Sequence, residues 1–98
     1  MVNTEANEND NCVFIGKKPT MSYVFAVQTQ AQTQPLIKIL ARGRSISMAA
    51  DVSQIALNRF LQGWQMSEIN LSTEEKQTNT SEEHIDRVSV IEIILTKK

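Results

Sequence analysis

The stretch Cys12-Val13-Phe14-Ile15-Gly16-Lys17-Lys18-Pro19 decides the fold of this 98-residue chain. Four consecutive apolar residues closed by a glycine form the pattern of a short buried strand. Pro19 suits the first turn of a helix, where its missing N–H has no intrahelical acceptor to lose. A strand that hands over directly to a helix opens a crossover unit, and the same signature recurs downstream. Leu36-Ile37-Lys38-Ile39-Leu40-Ala41 reads as a second strand, cut by Gly43 and followed by a helical stripe.

Between the two strands, the β-branched and aromatic residues of 21–27 favour a strand, while Met21, Val24, Phe25 and Gln28 fall at helical spacing. The preceding proline decides for a helix, which fades in the polar residues 28–34 and stops at Pro35. Within residues 47–61, Ala49, Val52, Ala56 and Phe60, with Met48 and Ile55 alongside, mark one buried helical face, and Gly63 ends that helix. Ile69, Leu71 and Thr73 then alternate with polar residues, and residues 88–95 form a strand that is apolar on both faces. The charged residues 74–86 join these two strands as a hairpin tip. The order βαβαββ predicts an α+β fold: a two-layer α/β sandwich with a four-stranded mixed sheet and two helices. The first two strands are expected to be parallel, because a helical crossover of about 20 residues joins them.

A chain of this length holds one core. Residues 1–11 are polar and acidic and are expected to form a disordered N-terminal lead, with a single domain over residues 12–98. No stretch resembles a secretory signal or a membrane span, so the protein is expected to be cytoplasmic and without a membrane partner. Cys12 is the lone cysteine and His84 the lone histidine, a composition that excludes an internal disulfide and multi-cysteine metal spacing. A net charge of -1 conceals a marked asymmetry: residues 12–64 carry six basic side chains against Asp51, whereas both flanking segments are acidic. Such asymmetry points to an anionic polymer as partner.

Two cation pairs, Lys17-Lys18 and Arg42-Arg44, lie at the strand-to-helix junctions. Cations beside a helix N-terminus cost about 0.3–1 kcal/mol each unless an anion arrives. In parallel α/β units these junctions lie at the carboxyl ends of the strands, where ligands gather. Gly16 permits close backbone approach at the first junction and Gly43 at the second. Arginine at 42 and 44 suits paired contacts with phosphate oxygens, the alternative for Arg42 and Arg44 being a rim ion pair with Asp51. Catalysis of phosphate chemistry needs clustered carboxylates or a positioned base, and neither is present in the basic middle of the chain. No enzyme, metal, cofactor or small-molecule substrate is therefore expected.

Taken together, Gly16-Lys17-Lys18-Pro19, Met21 with Tyr23-Val24, Ala41-Arg42-Gly43-Arg44 with Ile46, Ala49 and Asp51, Asn58-Arg59-Phe60, and Val88-Ser89 with Ile91-Glu92-Ile93 resemble the signature of Alba, the archaeal chromatin and RNA-binding protein family. The resemblance runs in order from Cys12 to Lys98. It implies an Alba-like fold, a dimer, and sequence-independent binding of double-stranded DNA and of RNA, with the protein on the chromosome or nucleoid. It also implies roles by position. Lys17, Lys18, Arg42 and Arg44 correspond to the nucleic-acid-binding clusters and Lys17 to the acetylation target. Asn58, Arg59 and Phe60 correspond to the patch where dimers meet. Arg87 lies on the hairpin, where it either reads a groove or balances acidic neighbours.

The chain departs from the family pattern in several places. Leu40 and Met48 stand where lysine is usual, Gln28 and Gln30 replace leucines, and Glu82, Glu83 and Asp86 surround Arg87. These departures motivate two rivals to a DNA-coating protein: a ribonucleoprotein component, and a weakly binding heterodimer partner of a more basic paralogue. Four cations on each of two chains limit the phosphate contacts to about eight, and thus the salt slope to about -7 on duplex DNA.

Overall fold

The computed structural model describes residues 11–77 and 85–98, the side chains of 76, 77, 85 and 86 excepted. The expected lead falls almost wholly in residues 1–10, and His84, Glu82 and Glu83 in 78–84, outside the described residues. The elements are β1 (Cys12–Phe14), α1 (Thr20–Ala31), β2 (Leu36–Arg42), α2 (Ile46–Ile55), β3 (Trp64–Gln77) and β4 (Ile85–Lys97). A 3-10 turn, Gly43–Ser45, precedes α2, and a π-helical turn, Ala56–Phe60, extends it. This is the expected βαβαββ order in a four-stranded mixed sheet, β1-β2-β4-β3.

β1 runs parallel to β2, with Val13 opposite Ile39 and Phe14 opposite Leu40. The ladder continues past β1 through the Ile15 N–H, which donates to the Leu40 carbonyl at 2.9 Å. β2 and β3 both run antiparallel to β4. Period-two alternation sends Ile37, Ile39 and Ala41 of β2 and Ile91, Ile93 and Leu95 of β4 into the core, against Val24 and Val27 of α1 and Ala49, Val52 and Ala56 of α2. Lys38, Leu40, Arg42, Val90 and Glu92 therefore occupy the face without helices.

α1 buries Tyr23, Val24 and Val27 rather than the expected stripe of Met21, Val24, Phe25 and Gln28. The helix is apolar over a broad arc, and the sheet takes the flank centred on Val24 and Val27, leaving Met21 and Phe25 exposed. Pro19 is the N-cap rather than a residue of the first turn, and its extended ψ of 151° turns the chain into the helix. The stripe of α2 matches expectation apart from Phe60, which is half-buried. Buried Ser53 is satisfied by donating to the Ala50 carbonyl at 2.8 Å.

The hairpin differs from the sequence reading. β3 continues to Gln77 and β4 begins at Ile85, so both ends of the expected tip, 74–77 and 85–86, are paired strand. Beyond the end of β2, β3 and β4 run on as a two-stranded arm from Thr73 opposite Ser89 to Gln77 opposite Ile85, about 17 Å at about 3.4 Å per residue. The pairing reaches the end of β4. Lys97 lies opposite Trp64, its Nζ 5.9 Å from the indole ring, and the Lys98 N–H donates to the Gly63 carbonyl at 2.8 Å.

Candidate nucleic-acid interface

The parallel register brings the two basic junctions together. With Phe14 paired to Leu40, the chain leaves β1 through Gly16-Lys17-Lys18 beside the point where it leaves β2 through Arg42-Gly43-Arg44. Adjacent strands lie about 4.8 Å apart, so both loops emerge from one edge of the sheet. Gly43 has φ +54°, a left-handed conformation that side chains disfavour, and it turns β2 into the 3-10 turn before α2. A glycine is thus required between the arginines by the backbone itself.

Gly16 also has a structural reason. Its N–H donates to Tyr23 Oη at 2.8 Å, and the Lys18 N–H donates to the same oxygen at 2.9 Å. A Cβ added at Gly16 would lie 3.3 Å from that oxygen. The close approach expected at this glycine is therefore made to tyrosine, and these two amides point inward. The side chains of Lys17 and Lys18 are both exposed.

The five proposed cations divide into two groups. Among the described residues, Lys17, Lys18 and Arg44 have no carboxylate partner. Arg42 does: its Nη2 lies 2.8 Å from Oε1 and 3.1 Å from Oε2 of Glu74 at the base of the arm. The expected alternative partner, Asp51, is not the one used. α2 carries Asp51 away from the β2 face on which Arg42 lies, whereas Glu74 opposes Val88, one step along that same face. Arg87 pairs across the arm with Glu75 at 3.3 Å. Lys38 has a longer contact with Glu92 at 3.9 Å.

Leu40, at a position where the family pattern suggests lysine, lies half-buried on the helix-free face. Here Phe14, Leu40, Arg42, Ser45, Glu74 and Val90 border a cleft of about 470 Å³. Met48 packs against the core. On the opposite side, Asn58 and Arg59 are exposed on the π-helical turn, and Phe60 packs edge-on against Phe25, with ring centroids 6.1 Å apart. Sequence reasoning missed Phe25 as part of this patch because it was placed in a buried stripe. It also missed Tyr23 as an organiser of the basic loop.

The result is a two-layer α+β domain with three cations that have no carboxylate partner among the described residues, gathered at one sheet edge. The family model described as Alba matches residues 11–73. The DNA/RNA-binding protein Alba of Methanoculleus marisnigri is 49% identical over 88 residues, 89% of this chain and 93% of its own length. DNA/RNA-binding protein Alba 1 of Archaeoglobus fulgidus is 47% identical over 90 residues, 91% of this chain and 98% of its own. The solved structure of Alba from Thermoplasma volcanium superposes with a TM-score of 0.78 at 42% identity, covering 88% of this chain and 99% of that one.

The chain belongs to the Alba family. The family is one of binding proteins and not of enzymes. No helix among the described residues is long and apolar enough to cross a membrane.

Proposed function

We propose that this protein binds double-stranded DNA without regard to sequence, coats and compacts it as a dimer on the chromosome, and also binds RNA. The observation that carries this reading is the convergence of Lys17, Lys18 and Arg44, unpaired among the described residues, on one edge of the sheet. Such an array meets a sugar-phosphate backbone and makes no base-edge contacts, so affinity follows phosphate neutralisation and counterion release. The names of the relatives, DNA/RNA-binding proteins, support the same partner class. Asn58, Arg59 and Phe60, with Phe25, form the patch through which neighbouring dimers meet on the duplex, and Lys17 is the acetylation target whose modification removes one phosphate-binding charge.

The dimer contact is proposed to run over Ile69 and Leu71. Both occupy core-side positions of β3, opposite Ile93 and Ile91 of the core, yet they are 50% and 70% exposed. An apolar core face left open at an edge strand resembles half of an obligate interface, and a second copy of the chain is its occupant.

The Arg42–Glu74 and Arg87–Glu75 pairs favour a second reading, in which the chain binds weakly alone and tunes a more basic paralogue as a heterodimer. Affinity of the purified protein for DNA and RNA of equal length, across one salt series, separates the readings. Salt-steep, sequence-indifferent duplex binding supports the first. Binding confined to structured RNA supports a ribonucleoprotein role. Absence of either near physiological salt supports the heterodimer partner.

A further inference from the structure

Resting on the reading that Lys17 and Lys18 hold phosphate, we propose that Tyr23 is a positioning residue of the site, its hydroxyl serving as the template on which the Lys17-Lys18 turn is built. Tyr23 reaches from α1 with its side chain almost wholly enclosed, the residue being 7% exposed. Its oxygen accepts the N–H groups of Gly16 and Lys18, the two residues that flank Lys17. The ring is anchored in the core while the oxygen holds the loop. This couples the core to two exposed cations.

Two acceptances by a hydroxyl leave its own proton as the remaining polar capacity, and that proton donates to no atom among the described residues. The oxygen therefore acts here as an acceptor for the backbone. Between β1 and α1 the chain is otherwise tied by the Ile15 N–H to Leu40 and the Ser22 N–H to Pro19 at the two ends, with the tyrosine contacts in the middle. Turning both amides inward leaves the lysine side chains outside. A loop ordered before the ligand arrives does not lose that freedom on binding, so preorganisation appears as affinity. A Cβ at Gly16 would lie 3.3 Å from the hydroxyl oxygen, so a larger residue there requires the oxygen or the loop to shift by a few tenths of an ångström.

Tyr23→Phe keeps the ring in the core and removes the acceptor. The expected result is a loss of about 3- to 10-fold in duplex affinity at fixed salt. A double-mutant cycle then reports whether the loss passes through the lysines. In a Lys17→Ala/Lys18→Ala background, Tyr23→Phe should cost nothing further. Amide exchange at Gly16 and Lys18 should accelerate in Tyr23→Phe while Val24 and Val27 keep their protection, a local readout that general destabilisation does not reproduce.

If the double lysine variant weakens binding but Tyr23→Phe binds as the parent, positioning by Tyr23 is overturned and the phosphate reading stands. An equal loss from Tyr23→Phe in both backgrounds, or lost protection throughout α1, overturns it as well. If the double lysine variant binds as tightly as the parent, the phosphate reading falls and takes this proposal with it.

Discussion

Glu74, on the arm, holds Arg42 at the rim of the body, with one guanidinium nitrogen within 2.8 Å and 3.1 Å of the two carboxylate oxygens. The pair joins β3 to β2 across the intervening strand β4, so it both neutralises a cation of the proposed interface and ties the arm to the body. A phosphate that takes Arg42 must displace a carboxylate first. The side chains are 60% and 46% exposed, and pairs of this kind contribute at most about 1 kcal/mol.

Glu74→Gln is therefore expected to tighten duplex binding by up to about fivefold and to steepen the salt slope, by about 2 for a dimer. Fluorescence anisotropy titrations of both proteins across a salt series check this. Unchanged affinity and slope would show that Glu74 does not compete with phosphate.

The same contact ranks the two arginines. Arg44→Ala removes a cation with no carboxylate partner among the described residues and is expected to weaken binding more than Arg42→Ala, which removes one already neutralised. Parallel titrations at one salt concentration read the order. An equal or reversed order would mean that the Glu74 pair does not persist at the interface.

Gln30 offers a test of stability away from the interface. Its Nε2 makes a long 3.5 Å contact with the Cys12 carbonyl, while its Oε1 is buried and accepts no hydrogen bond from the described residues. A buried unsatisfied amide oxygen costs about 1–3 kcal/mol. Gln30→Leu should raise stability by about 1 kcal/mol, or about 4–8 °C in Tm for a domain of this size. Thermal denaturation measures it, and a lower Tm would mean that the amide contributes more than it costs.

Leu71→Asp places a charge on the exposed core-side surface of β3, opposite Ile91. If a second copy covers that surface, the charge is buried on association, and the dimer should dissociate by at least tenfold more readily, about 1.4 kcal/mol or more. Sedimentation equilibrium reads the change. A dimer of parental strength would place the contact on another face.

Much of this was legible from local pattern. The strand at Cys12, the second at Leu36 and the glycine between two arginines each declare themselves within a few residues, and they fix where the basic loops emerge. What escaped detection depends on partners distant in sequence. Arg42 and Glu74 are 32 residues apart, and only the antiparallel register shows that they share a face. The arm reads as a polar tip because its pairing rests on cross-strand partners such as Glu75 and Arg87 rather than on apolar alternation. Tyr23 lies outside the set Met21, Val24, Phe25 and Gln28 that periodicity marks, so neither the burial of its ring nor the contacts of its oxygen were legible locally. In α1, two overlapping apolar arcs are compatible with the sequence, and the sheet decided between them.

The central claim is that Lys17, Lys18 and Arg44, without a carboxylate partner among the described residues, bind a nucleic-acid backbone from the shared edge of β1 and β2, and the salt dependence of duplex affinity tests it most directly. Lys17, Lys18 and Arg44 from two chains give about six contacts and a slope of log affinity against log salt near -5, rising toward about -7 as Arg42 is released. The triple variant Lys17→Ala/Lys18→Ala/Arg44→Ala should flatten that slope on every duplex sequence alike. A parental slope near zero, or a triple variant that keeps the parental slope, would contradict the account.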